Sequence, residues 1–188
     1  MIKGKDLNRL ISFSDAIVAV AITLLVLPLT DLFRNTEHPS IDRIIHSYEF
    51  ISTFSSLLIS FFVIYGFWNK HRKIFYDVDE IPISVDKINK FWLFSVILIP
   101  AATNINFNSN NVLGIWIYGM TLIFSTLMLQ LMDVQIHPGV KLYHNNLLVI
   151  LLICLLIVSI KPEMGQSVFY LIFLSRPLRR LFPKVFQK

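Results

Sequence analysis

Asp15 heads a run of fifteen residues, Ala16 to Thr30, that holds only two threonines and a proline besides aliphatic side chains. An ionisable group just inside an apolar helix is costly unless it is paired or wet, so Asp15 predicts partners supplied from elsewhere in the chain. On a helix, Val20, Leu24 and Leu27 follow i, i+4, i+7 spacing and share one face. That stripe extends to Phe13 and Ala16 on one side and to Asp31 on the other, while Asp15 points roughly the opposite way. One face is therefore dry and narrow with an acid at its far end, and the other carries a charge that needs donors. Ala16, Ala19 and Ala21 permit close packing. From spacing alone, ordinary helix packing or lipid contact is the commoner use of such a stripe.

Other residues of chemical interest are sparse. His38, His46, His137 and His144 fall in loops, and His137 and His144 flank Pro138-Gly139 too loosely to predict a metal site. A single Cys154 lies in an apolar run, so one chain can form no disulfide or cysteine-based metal site. Asp15 has no carboxylate twin inside a helix, Asp133 sits at a helix end, and neither Gly-x-Ser-x-Gly nor His-Glu-x-x-His occurs. The sequence thus predicts no enzyme and no resident cofactor. A proton channel or proton-coupled cation transporter built on Asp15 and His71 is the alternative; a carrier usually has broken mid-membrane helices and a repeated half, neither of which is visible.

The elements that position these residues follow from the apolar runs. From Phe91 to Met132, 42 residues pass without Asp, Glu, Lys, Arg or His. As one helix that run would be roughly twice as long as a bilayer's hydrocarbon core is thick. It must fold back, and Asn104 to Asn111 is the place. Charged residues make up only 15% of the 188 residues, which predicts a polytopic membrane protein. Six helices are expected, at about Ser12–Thr30, Phe50–Asn69, Phe91–Thr103, Val112–Met132, Asn145–Ile160 and Met164–Ser175, the last open to a re-entrant or interfacial reading. No removable signal peptide is expected at the start.

With six crossings, Lys and Arg separate by side. Fourteen fall on the side of the termini, and only Arg34, Arg43 and Lys161 on the other. Both termini are then cytoplasmic. Because the basic residues lie outside the apolar runs, the net charge of +5 fits a membrane protein rather than a nucleic-acid partner. The loop Asp31–Glu49 is mildly acidic, which concentrates cations at that mouth or is simply a solvated loop. In the tail, Leu178-Arg179-Arg180-Leu181-Phe182 suits a stretch lying on anionic lipid.

Arg9-x-x-x-Phe13-Ser14-Asp15 resembles the R-x-x-x-F-S-D signature of the transmembrane-protein-175 potassium channels, prokaryotic branch. The Ala-Ile-Thr-Leu-Leu-Val-Leu run that follows fits the same family. Phe67-Trp68-Asn69-Lys70-His71 is similar to its W-x-x-H at the end of the second helix, and Asn89, eleven residues before Pro100, matches an Asn and a Pro of its third. The specific motifs cover the first half of the chain.

The resemblance implies a homotetramer of six-helix subunits in a prokaryotic inner membrane, the first helix of each lining a central pore. It implies passage of potassium without the T-V-G-Y-G carbonyl filter of ordinary potassium channels, a loop this sequence lacks. The family's constriction falls at positions five, nine and twelve after the signature Asp, here Val20, Leu24 and Leu27. Val20 is the smaller choice where many members carry Ile or Leu. Rings of such side chains exclude water when narrow and pass partly hydrated ions when widened. Thr23, about 60° from the stripe, either replaces lost water ligands or bonds back to the carbonyl of Ala19. Pro28 leaves the carbonyl of Leu24 without its helical donor; it kinks the helix, frees an oxygen ligand or, more commonly, ends the helix. Asp31 marks the outer mouth. Weak selectivity for potassium over sodium is expected, potassium being the ion that dehydrates more cheaply.

Arg9, Phe13, Ser14, Asp15, Trp68, His71 and Asn89 are implied to form a network bracing the pore helix at its cytoplasmic end. Arg9, His71 and Asn89 are the expected partners of Asp15. Strict periodicity would instead place Arg9 near the stripe, a placement set aside because the helix start is uncertain by a turn. His71 is either a pH-sensitive part of the brace or a solvated interfacial histidine, and Trp68 taken alone is an interfacial anchor.

Overall fold

The computed structural model describes residues 1–34, 45–108, 112–140 and 146–172. A two-residue strand β1 (Ile2–Lys3) leads through Gly4 into helix α1 (Lys5–Leu24), followed by α2 (Leu27–Arg34) and α3 (Tyr48–Ile74). Strand β2 (Glu80–Ile81) precedes α4 (Ile83–Asn108), α5 (Val112–Ile136) and α6 (Asn146–Ile160), and a 3₁₀ helix covers Pro162–Tyr170.

Around a largely apolar core, the helices also turn apolar side chains outward, as those of a water-soluble bundle do not. Phe54, Leu58, Phe62 and Tyr65 of α3 face outward, as do Phe91, Phe94 and Leu98 of α4. Ser56, Ser60, His71, Asn89, Ser95, Thr103, Ser125, Thr126 and Gln130 are buried between helices. Lipid takes apolar side chains as readily as a core does, so the inside of a membrane bundle is where small and polar residues find partners. Ser60 Oγ lies 2.8 Å from Thr103 Oγ1 and 3.1 Å from Tyr118 Oη, tying α3, α4 and α5 together. Ser95 and Ser125 join α4 to α5 again, with their hydroxyl oxygens 2.5 Å apart. At Gly119 of α5, a Cβ would stand 2.5 Å from Leu155 Cδ2 of α6, so glycine is what admits this approach.

Four stretches are long and apolar enough to cross a membrane: Lys5–Arg34, Tyr48–Ile74, Ile83–Ile105 and Val112–Ile136. The uncharged run folds back inside the asparagine cluster, α4 ending at Asn108 and α5 starting at Val112. The expected fifth and sixth passes differ. With 15 residues, α6 is about 22 Å long, short of a ~30 Å hydrocarbon core. In the described part of the sixth segment, Pro162–Tyr170 form a 3₁₀ helix where an α-helix is expected from Met164, Leu171 and Ile172 continue as helix, and residues 173–175 lie outside the described residues. The 3₁₀ helix packs back on α5 and α6, with Phe169 edge-on to Tyr118 at 4.9 Å.

The helix ends also move. Ser47 caps α3 by accepting a hydrogen bond from the Phe50 N–H, and α3 runs on to Ile74 through Lys70, His71, Arg72 and Lys73. Cations in a last turn complement the helix dipole, so charge marks the membrane boundary here without ending the helix. By the same logic α4 begins at Ile83, eight residues ahead of the expected Phe91, with Asp86 in its first turn. The first helix starts at Lys5 rather than Ser12 and breaks before Leu27. The loop residues Glu37, His38, Asp42 and Arg43, together with Lys141, His144 and the basic tail from Arg176, lie outside the described residues.

Candidate functional site

The buried face of α1 carries Leu7, Ser14, Val18 and Ala21, and Leu25 continues it just past the helix end. This seven-, four- and three-residue spacing turns one stripe toward α3 and α4. The opposite stripe is open: Phe13 is 63% exposed, Val20 56%, Leu24 37% and Leu27 55%. Arg9 is exposed on α1 as well and forms no ion pair among the described residues. Its placement follows periodicity, because α1 begins at Lys5 and Arg9 lies one turn inside it. The expectation that Arg9 pairs with Asp15 is corrected accordingly. An apolar groove of about 220 Å³ borders the stripe, lined by Ala16, Ile17, Val20, Ala21, Leu24 and Ile97.

The basic end of α1 is pinned by two sets of hydrogen bonds. Half-buried Asp15 accepts a hydrogen bond from Trp68 Nε1 of α3 at 2.8 Å. A carboxylate in this setting needs a donor, and the indole N–H is donor only. Trp68 is thus a partner of Asp15 as well as an aromatic at the helix end, and the Arg72 guanidinium lies over its ring at 5.0 Å. Neither His71 nor Asn89 hydrogen-bonds to Asp15, although its charge acts on His71 through space; they make a second, buried chain. Asn89 Nδ2 of α4 donates to Ser14 Oγ at 3.0 Å, and Ser14 Oγ donates to the Leu10 carbonyl at 2.8 Å. Asn89 Oδ1 meets His71 Nε2 at 2.9 Å. His71, 1% exposed, is no solvated interfacial residue. Its ring stacks on Trp92, with centroids 4.3 Å apart and planes 9° from parallel. Phe13, next to Ser14 in sequence, points away from this chain on the open stripe.

The far end of α1 is built differently. Pro28 has no N–H, so the Leu24 carbonyl loses its helical donor. The Leu25 and Val26 N–H groups tighten onto the carbonyls of Ile22 and Thr23, both at 3.3 Å, and Leu29 N–H goes to Val26 at 3.0 Å. The Leu25 carbonyl thereby loses its own helical donor too. The chain then resumes as α2 and carries Leu27 and Asp31 beyond the break. Of the uses open to Pro28, interruption with the helix resuming is the kink rather than the terminator. Thr23 Oγ1 donates to the Val20 carbonyl at 2.7 Å, one residue short of the expected Ala19.

A third cluster had no signal in the spacing. Lys70 Nζ donates to Gln130 Oε1 at 2.7 Å and lies 3.8 Å from Asp133 Oδ2, while His137 Nδ1 is 3.0 Å from Asp133 Oδ1. It ties α3 to the end of α5. Among the described residues no group of three or more His, Cys, Asp or Glu is placed to hold a metal ion.

Apolar outside, threaded by buried polar side chains within a largely apolar core, and built on four helices long enough to cross a membrane, the chain is a multi-pass helical membrane protein whose first helix keeps one face free. Residues 9–100 match the family described as Endosomal/lysosomal potassium channel TMEM175. The matched stretch, from Arg9 to Pro100, holds most of α1 and the whole hydrogen-bonded brace. No curated protein and no solved structure matches the chain.

Proposed function

We propose that the chain is a potassium-permeable cation channel, a homotetramer in a prokaryotic inner membrane with both termini cytoplasmic. In this reading α1 lines the central pore, and Val20, Leu24 and Leu27 form rings that control its hydration. The observation that carries it is the open aliphatic stripe on α1. It lies opposite a fully packed face, in the segment matched to a potassium channel family. A stripe that meets water only when the rings widen needs no carbonyl filter to act as a gate. Thr23 spends its proton on the Val20 carbonyl, so the lone pairs of its hydroxyl stay open to a partly dehydrated cation. Asp31, exposed one turn beyond Leu27, repels anions from the outer mouth. Potassium is the permeant ion and not a fixed ligand.

The proton-coupled alternative has less support. Asp15 and His71 hydrogen-bond to different partners, Trp68 and Asn89, and not to each other. Purified protein in liposomes under a potassium gradient separates the two. The channel reading expects a potassium-selective reversal potential. Flux that requires a proton gradient or a counter-ion would replace it with the carrier.

A further inference from the structure

The break in α1 backs onto a small cavity of about 10 Å³, lined by Leu25 and Pro28 on one side and by Thr53, Ser56, Leu57, Thr103 and Asn104 on the other. That is the room of one water molecule, and a buried water needs two to four polar partners. They are present. The main-chain carbonyl of Leu25, a lining residue, has lost its helical donor. Thr53, half-buried on α3, has a hydroxyl with no hydrogen-bond partner among the described residues. Ser56 Oγ donates to the Ser52 carbonyl and keeps its lone pairs for an incoming donor, while Thr103 Oγ1 donates to the Ile99 carbonyl, accepts from Ser60 Oγ and keeps one lone pair.

We infer that this cavity is a water site, and that the water makes the break at Leu25-Val26 a hinge between Leu24 and Leu27. A water can donate to a released carbonyl and exchange bonds with the Thr53 hydroxyl as the angle between α1 and α2 changes. A continuous helix would have to break main-chain bonds to do the same. The three aliphatic positions are then not one rigid comb. Val20 and Leu24 ride on the pinned helix, while Leu27 and Asp31 ride on a segment that swings. The functional half of this inference rests on the pore reading above; the water itself does not.

The two halves are tested separately. X-ray hydroxyl-radical footprinting of the protein in lipid nanodiscs labels side chains beside bound water. Leu25 is 4% exposed and Ile59 2%, so without a water the two should label alike. Leu25 is expected to label about fivefold faster than Ile59, and Thr53→Val to bring it down to the Ile59 rate. Equal rates in the wild-type protein, or a Thr53→Val chain that still labels quickly at Leu25, would overturn the water site. For the hinge, Pro28→Ala restores the missing N–H and lets the helix run through. Single-channel recording should show open probability changed about tenfold at unaltered unitary conductance, an effect of stiffening one joint. Wild-type gating in a Pro28→Ala protein of unchanged elution volume would overturn the hinge. If neither protein conducts, the pore reading and the hinge fall together while the footprint still decides the water.

Discussion

The two ends of the first helix are held by opposite means. At the basic end, Ser14 and Asp15 are each fastened by a side chain from another helix, and every polar atom in the Leu10–Ser14–Asn89–His71 chain that these bonds use is matched. At the far end the helix surrenders two of its own main-chain bonds around Pro28 and carries Thr23 and Leu27 on an open face. Buried polar chains have discrete, costly alternatives, whereas a segment with few internal bonds has cheap ones. The contrast assigns rigidity to one end and adjustability to the other, which is the arrangement a gate in the outer half would need.

Four substitutions break or sharpen that contrast. The largest loss is expected from Asn89→Leu, which strips His71 of its Nε2 partner and Ser14 of its incoming donor. Leaving such groups buried costs roughly 2–4 kcal/mol, read as a lowered unfolding transition of the solubilised protein. A chain as stable as wild type would show the brace to be ornamental. Next comes Trp68→Phe, which keeps a ring beneath Arg72 but removes the donor on Asp15. The same measurement should register about 1.5–3 kcal/mol, as for a hydrogen bond to a charged group.

At the other end, Leu27→Ala should move stability by less than about 0.5 kcal/mol, as at exposed sites generally. Its conductance in liposomes should nevertheless rise several-fold. Unchanged conductance with intact assembly would count heavily against Leu27 as part of a constriction. The smallest effect belongs to Asp31→Asn. Cation conductance should fall less than about twofold at low ionic strength, and the difference should vanish in high salt, where the Debye length shrinks to about 3 Å. A deficit that persists in high salt would mean that Asp31 binds ions directly.

Much of this was legible in the residues, and the failures have identifiable causes. The long helices and the reversal within the asparagine cluster were visible because membrane-spanning runs exclude charge. Their ends were not, since Lys70, Arg72 and Lys73 extend a helix while reading like a loop. The same misjudged start displaced Arg9, whose periodicity already put it on the open stripe. Ser14, His71 and Asn89 could be grouped from their motifs, but their pairing could not. Spacing does not reveal that an indole N–H serves Asp15 while the amide of Asn89 bridges Ser14 and His71. Pro28 left kink and terminator both open, because a missing N–H does not say whether the chain resumes its helix. The Lys70–Gln130–Asp133–His137 cluster joins residues some sixty positions apart, beyond the reach of any local pattern.

The shortest element has a consequence out of proportion to its size. Strand β1 pairs antiparallel with β2, Ile2 opposite Ile81 and Lys3 opposite Glu80, and Gly4 turns the chain into α1 at a φ of 57°. Space around Gly4 is free, so the constraint there is the backbone angle, which a side chain would strain. A strand slipped by one residue swaps its two faces. The lead into the helix therefore has no slack: one amino acid inserted or deleted between Lys3 and Lys5 must either unzip the ribbon or screw the whole helix round by about 100°. Such a frame-preserving lesion, more than a dozen residues from the stripe, would swing Val20 and Leu24 to a new bearing without touching either of them.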